Sequence, residues 1–324
     1  MRRLAAVLIV IIVAAGEVLH PQQAQFRAGV DVVMLNVAVT DGRKNIADLT
    51  AADFEVLDNG VAQEVVSVAR ETWPIDLTVL MQTSLPLTWW GPGIVLDAVD
   101  RVRERLKPSD RLSLVTFNRR VHEQVALGPA AQYRRPDPVV REPQTSIFDA
   151  LATVYATRPI PGRRQMALAF VDTIDSSSVL DEADVFEMAK RSHMATFVVS
   201  RLMTVTYFSG PDPSTTTRPF LSQPNPGPHP LGFLYRVTAT TGGAVNPTPG
   251  MRVTQSANRV TIGANRNLVD EDFIRIIDDF RASYVLHYSL AGVPRAGWHE
   301  VTVKVKRPGS QSYRIRARNG YVGG

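Results

Sequence analysis

From Ile75 onward, apolar runs alternate with amphipathic segments along the chain. The runs from Ile75 to Met81 and from Gln165 to Val171 are almost continuously apolar, as is typical of strands buried on both faces. Between and after them, apolar residues recur at helical spacing, for example at positions 95, 98, 99, 102 and 106. This alternation is typical of βαβ units. We therefore expect an α/β fold with a doubly wound, mainly parallel sheet over residues 75–290.

Both ends of the chain are patterned as β structure instead. Residues 26–73 contain a valine-rich run and two strand-like segments around Asn59-Gly60, a dipeptide typical of tight hairpins. Residues 295–324 contain two further strands, one with valines alternating with polar residues. Because neither end has enough strands to be stable alone, we predict that the two ends pair into one small β module.

Residues 1–24 have the order of a signal peptide. Arg2-Arg3 precede twelve apolar residues, and Ala14-Ala15-Gly16 supply small residues for cleavage. The apolar run is shorter than the about 20 residues that span a bilayer, and no other span is expected. We predict an exported protein, located in the periplasm, at the cell envelope or outside the cell. A leader that stays attached as an anchor is the alternative.

One segment departs from the strand–helix alternation. Residues 203–230 hold seven prolines among serines and threonines, with few large apolar side chains. Such a segment buries too little surface to offset the entropy of ordering it, so we predict a Pro-rich surface insertion there.

Composition excludes several functional classes. The formal charge of +5 comes from scattered arginines without interleaved aromatic residues, so we expect no nucleic-acid partner. The chain has no cysteine, which excludes disulfides, thiol catalysis and cysteine-bound zinc. Its six histidines lack zinc-site spacing, and it has neither a nucleophile elbow nor a phosphate loop. We therefore expect no enzymatic activity.

Polar residues follow the ends of two predicted strands. The first strand runs into Gln82-Thr-Ser84-Leu-Pro86, the second ends at Asp172, and Thr145 stands just ahead of a predicted helix. Hydroxyl and carboxylate groups at the carboxyl edge of parallel strands lie where open α/β sheets bind ligands. The sequence therefore predicts a ligand-binding edge at these five positions.

This arrangement resembles the Rossmann-like von Willebrand factor A (VWA) domain, whose metal-ion-dependent adhesion site reads Asp-x-Ser-x-Ser, then Thr, then Asp. Ser84, Thr145 and Asp172 match that pattern, whereas Gln82 replaces the first Asp and Pro86 the last Ser. The chain is also similar to the VWFA-related Acidobacterial domain family through four ordered motifs: Leu49-Thr-x-x-Asp-Phe54, Val56-x-Asp-Asn-Gly60, Tyr284-x-Leu-x-Tyr288 and Arg316-Ala-Arg-Asn-Gly-Tyr321. The resemblance implies an exported VWA domain with a degenerate metal site.

The replaced residues bear on the metal that the resemblance implies. Mg²⁺ requires hard oxygen ligands, usually including one or two carboxylates, but Gln82 carries no charge and Pro86 no hydroxyl. We expect no cofactor, with weak Mg²⁺ binding as the alternative. The Gln82 amide is instead expected to hydrogen-bond Ser84 and Thr145, which would hold the loops without a cation.

A pair of tryptophans follows this edge. Trp89 and Trp90 stand beside Gly91-Pro92-Gly93 and would form either an exposed contact patch or part of the core. The resulting hypothesis is a non-enzymatic protein that binds or scaffolds a protein partner at the cell envelope. A purely structural envelope component is the first alternative, and a hydrolase with an unrecognised site is the second.

Overall fold

The computed structural model describes residues 32–70, 73–84, 92–137, 142–171, 175–200, 232–247, 252–256, 259–263 and 266–324. The predicted signal peptide and the Pro-rich segment at residues 203–230 lie outside these ranges, as do Pro86, Trp89, Trp90 and Asp172. Residues Val32–Gly324 belong to one compact unit.

One sheet has six strands and is mixed. Its strands are β5 (Ile75–Gln82), β6 (Arg111–Phe117), β7 (Val121–Pro129), β8 (Arg164–Val171), β9 (Ala195–Ser200) and β10 (Ala244–Pro247). They lie in the order β10-β9-β8-β5-β6-β7. Strands β10, β9, β8, β5 and β6 are joined by parallel pairings, whereas β7 runs antiparallel to β6.

Five described helices cover this sheet: α1 (Pro92–Arg105), α2 (Ile147–Tyr155), α3 (Glu182–Arg191), α4 (Gly232–Thr241) and α5 (Arg266–Ala282). Residues of α1 and α5 share one apolar core with Leu77 and Val79 of β5. Residues of α2, α3 and α4 share the other core with Leu80. Because successive strand residues point to opposite faces, each central strand contributes to both cores.

The larger sheet has eight strands: β1 (Val32–Asp41), β2 (Lys44–Asn45), β3 (Phe54–Asp58), β4 (Val61–Arg70), β13 (Tyr284–Ser289), β14 (Gly297–Val305), β15 (Tyr313–Arg316) and β16 (Gly320–Gly323). Their order is β15-β1-β13-β4-β3-β14-β16, with β2 beside β1, and the pairings are antiparallel. Strands β11 (Arg252–Ser256) and β12 (Arg259–Gly263) form a separate hairpin. At the β3–β4 turn, both Asn59 (φ 48°) and Gly60 (φ 79°) are left-handed, as a tight hairpin requires.

The prediction of a doubly wound, mainly parallel sheet with a small β module is therefore wrong. The largest sheet is antiparallel and has eight strands, and the six-stranded sheet is mixed. Strand β13, which we placed in the parallel region from sequence, pairs antiparallel with β1 and β4. The physical reason is that an apolar run buried on both faces has the same pattern in either kind of sheet.

A buried ion-pair network lies at the start of β5. The Asp76 carboxylate, 2% exposed, accepts hydrogen bonds from Arg111 Nε at 2.8 Å and Arg163 Nε at 2.6 Å. Burial acts to raise the pKa of Asp76, but the two arginines outweigh it and hold this pKa below its usual value. The network ties the ends of three neighbouring strands together.

Among the described ranges, no helix combines the length and apolar character needed to cross a membrane.

Candidate functional site

The predicted ligand edge forms where β5 and β6 end side by side. Gln82 is the last residue of β5, and the following Thr83 N–H donates to the Phe117 carbonyl at 2.8 Å. Ser84 then bridges to Glu142, which precedes α2. Because the two strands are parallel, their carboxyl ends reach the same edge of the sheet.

A chain of side-chain hydrogen bonds joins three of the predicted positions. Gln82 Nε2 donates to Ser84 Oγ at 2.6 Å, and Thr145 Oγ1 donates to the same Ser84 oxygen at 2.5 Å. The exposed fractions are 0% for Gln82 and Ser84 and 2% for Thr145. Because a buried polar group is costly unless it is hydrogen-bonded, these contacts satisfy groups that could not otherwise lie in the interior.

The loop after β8 is fastened to Thr145 through its backbone. The Thr145 N–H donates to Ser176 Oγ at 2.9 Å, and the Thr145 carbonyl accepts from the N–H groups of Ser176 and Ser177 at 2.8 and 3.0 Å. On the other side, Ser146 Oγ donates to the Asn118 carbonyl at 2.8 Å. The start of α2 is therefore held between two loops.

Two carboxylates complete this arrangement near the N-terminus of α2. Asp175 accepts from the Phe148 N–H at 3.2 Å and from Ser178 Oγ at 2.5 Å. Asp149 accepts from the N–H groups of Val179 and Leu180, each at 3.0 Å. Negative charge is favoured near a helix N-terminus, so both acids stabilise the start of α2 as well as accepting these hydrogen bonds.

The described residues do not fit the Mg²⁺ that the VWA resemblance implies. Gln82, Ser84 and Thr145 supply no carboxylate, whereas Mg²⁺ is usually bound through one or two carboxylates. Within the described parts of the chain, no three His, Asp or Glu side chains gather as a metal site. Among the described positions of this edge, Gln82 and Thr145 both hydrogen-bond Ser84 directly.

The structure thus brings Gln82, Ser84 and Thr145 together, while Pro86, Asp172, Trp89 and Trp90 lie outside the described residues. Sequence reasoning missed the other residues that fasten the edge: Asn118, Ser146, Asp149, Ser176 and Ser178. The Ser and Asp residues that follow β8 could have indicated these contacts, since these residue types cap helix ends and turns.

Sequence reasoning also missed a second buried polar cluster, centred on Asp58 in the larger sheet. Asp58 accepts from Tyr288 Oη at 2.6 Å and Tyr321 Oη at 3.0 Å, and lies 2.7 Å from His299 Nδ1. Burial, together with the bond to Asp58, raises the pKa of Tyr288, and burial raises that of Tyr321 to about 12. Both tyrosines therefore stay protonated donors, and the cluster joins β3, β13, β14 and β16.

The solved structures that resemble this chain include VWA domains. A von Willebrand factor type A structure from Catenulispora acidiphila has 9% identity and a TM-score of 0.45, covering 92% of this chain and 75% of that chain. Protein BatB from Bacteroides thetaiotaomicron has 11% identity and a TM-score of 0.40, covering 64% of this chain and 98% of that chain. Proximal thread matrix protein 1 from the mussel byssus has 9% identity and a TM-score of 0.42. That match covers 64% of this chain but only 48% of the byssus protein, so the chain spans about half of its length.

No family model matches the chain, and no curated protein matches it. VWA domains are thus among the solved structures that resemble this chain, in agreement with the resemblance stated from sequence. The narrower VWFA-related Acidobacterial label finds no support in these comparisons. At these identities and TM-scores, the neighbours assign neither a partner nor an activity to this chain.

Proposed function

We propose that this chain is an exported, non-enzymatic binding protein whose edge loops engage a protein partner without a metal ion. The observation that carries the proposal is the buried hydrogen-bond chain through Gln82, Ser84 and Thr145. It holds the loops with neutral side chains. Loops that are already ordered lose less conformational entropy on binding, so they bind more tightly for the same contacts.

The exposed part of the same loops supplies a contact surface. Pro143, Gln144 and Ser176 are exposed, and Val179 is 92% exposed. The Val179 backbone N–H is nevertheless held by both carboxylate oxygens of Asp149, at 3.1 and 3.0 Å. These loops therefore present one exposed apolar side chain on a backbone that is held in place.

The proposed absence of turnover has its own support. The Asp149 carboxylate accepts the Leu180 N–H of the loop after β8, and the Asp175 carboxylate accepts the Phe148 N–H of α2, so both serve as structural acceptors. Export to the periplasm, the envelope or the exterior is proposed from the leader at residues 1–24. A scaffolding activity at the envelope would use the same surface.

A purely structural envelope component is the second candidate. It is favoured by the complete burial of Gln82 and Ser84, which leaves neither side chain able to touch a partner. The two candidates differ in what they expect of Val179. A binding protein uses this side chain, whereas a structural component leaves it in solvent.

Site-directed photo-crosslinking in cells distinguishes them. A photoreactive phenylalanine analogue is placed at position Val179 and, as the matched control, at Val66, an exposed valine on β4 that is 48% accessible. We expect a discrete crosslinked protein from position 179 only, unchanged by chelator. Equal crosslinking from both positions, or none from position 179, would favour the structural component. Loss of the crosslink on chelation would contradict metal-independent binding.

A further inference from the structure

A recess lies beside the larger sheet, and none of its lining residues belongs to the ligand edge. A cavity of about 600 Å³ opens between β1, the β1–β2 turn, β15 and helix α5. Cavities that bind small molecules measure about 300–1,000 Å³. Its charged lining consists of four arginines and one acid: Arg43, Arg275, Arg314, Arg316 and Asp279. The walls are therefore strongly positive.

Arg316 is fixed in place at the inner wall. Its Nη1 donates to the Gly242 carbonyl at 3.0 Å, and its guanidinium carbon lies 4.8 Å from the centre of the Phe197 ring. Burial lowers the pKa of Arg316, with the nearby Asp279 acting in the opposite direction. A positioned guanidinium in a partly buried setting interacts more strongly with an anion than one in water.

The acid in the lining is already engaged. Asp279 Oδ1 accepts from Asn45 Nδ2 at 3.0 Å. At the rim, the exposed side chains of Arg43 and Arg314 make no hydrogen bond or ion pair with any residue in the described ranges. Guanidinium groups bind carboxylate and phosphate through paired N–H donors, so several of them facing one recess favour a multiply charged anion.

We infer that this cavity binds a small polyanion carrying phosphate or carboxylate groups. The site shares no residue with the ligand edge, so the inference goes beyond the proposed function and does not depend on it. The bound anion would then offset the positive charge that the single acid, Asp279, does not balance.

Isothermal titration calorimetry of the full chain at low salt tests this, with pyrophosphate and citrate as separate probes. The double variant Arg43→Gln/Arg314→Gln removes the two rim charges. The control Arg105→Gln/Arg158→Gln removes two exposed charges outside the cavity lining. Because each lost charge-assisted contact weakens binding about tenfold, we expect at least that loss in the rim variant. The control should bind within about twofold of wild type, since exposed charges at a distance are screened.

Binding of pyrophosphate alone would mark a phosphate site, and binding of citrate alone a carboxylate site. Either result supports the inference if the rim variant is the one that loses affinity. Binding of neither probe to the wild-type chain would overturn it. Equal losses in the rim and control variants would also overturn it, because attraction would then come from overall charge. Unchanged melting temperatures in both variants show that folding is intact.

Discussion

Replacing Asp58 with alanine should destabilise the fold strongly, because three hydrogen-bond donors depend on this one carboxylate. Tyr288 Oη, Tyr321 Oη and His299 Nδ1 lie 2.6, 3.0 and 2.7 Å from its oxygens. A carboxylate only accepts, so all three groups donate to it. Asp58 and His299 are both 0% exposed, so bulk water does not reach this carboxylate in the folded chain.

The size of the effect follows from these contacts. A hydrogen bond to a charged group contributes about 1.5–3 kcal/mol, and leaving a buried donor unsatisfied costs about 1–3 kcal/mol. Contributions within one network are not additive, so we expect the free energy of unfolding to fall by about 4 kcal/mol in Asp58→Ala. Tyr288→Phe, which removes one donor and leaves the others, should cost about 2 kcal/mol.

Guanidinium chloride denaturation followed by circular dichroism measures both values from the midpoint and slope. The matched control is Glu55→Ala on the same strand, where a partly exposed side chain is removed and the change should stay within about 0.5 kcal/mol. A loss below about 1 kcal/mol in Asp58→Ala would refute the reasoning. It would mean that the three donors find other acceptors or water.

Asp76→Asn should lower stability at neutral pH and flatten its decline in acid. The folded-state pKa of Asp76 lies below the usual 3.8, so its ion pairs stabilise fully above that value and are lost as pH falls through the lower folded-state pKa. Parallel pH profiles of the denaturation midpoint for wild type and variant would contradict this. Gly243→Ala should lower the free energy of unfolding by about 3 kcal/mol or more, because a Cβ at this position would lie 1.7 Å from the Thr196 carbonyl oxygen. At Gly128, the control position, the nearest atom to an added Cβ is 3.8 Å away. Similar melting temperatures for Gly243→Ala and the control Gly128→Ala would show that the backbone shifts freely. Deleting residues 295–324 removes the strand paired with β3 and should cause aggregation; a soluble monomer with an unchanged midpoint would argue against this pairing.

Local elements of this fold could be predicted from sequence, whereas the pairing of distant strands could not. Asn59-Gly60 indicated the hairpin because left-handed backbone favours these residue types, and both adopt it. The β1–β13 pairing instead joins Val32 to Ser289, and nothing local in either strand specifies such a partner. The parallel-sheet expectation was wrong for that reason.

The ligand edge could be predicted in part from sequence, whereas the Asp58 cluster could not, because its residues are far apart in the chain. Gln82 and Ser84 are two residues apart, so their hydrogen bond could be anticipated, and Thr145 could be placed at the same edge because it stands just ahead of a predicted helix. Asp58 and His299 are separated by 241 positions. A signal was present, since the motifs quoted for the resemblance contain Asp58, Tyr288 and Tyr321, but only the folded chain shows that these motifs meet.

The central claim is that the ligand edge is held by hydrogen bonds without a metal ion, and thermal melting with and without Mg²⁺ tests it most directly. A ligand that binds only the folded state at a hundredfold excess over its Kd stabilises by about 2.7 kcal/mol. We predict that millimolar Mg²⁺ leaves the melting temperature of the wild-type chain unchanged, while the variant Gln82→Asp/Pro86→Ser, which restores the acid and hydroxyl, gains several degrees. A rise of several degrees in the wild-type chain, reversed by chelator, would contradict the claim.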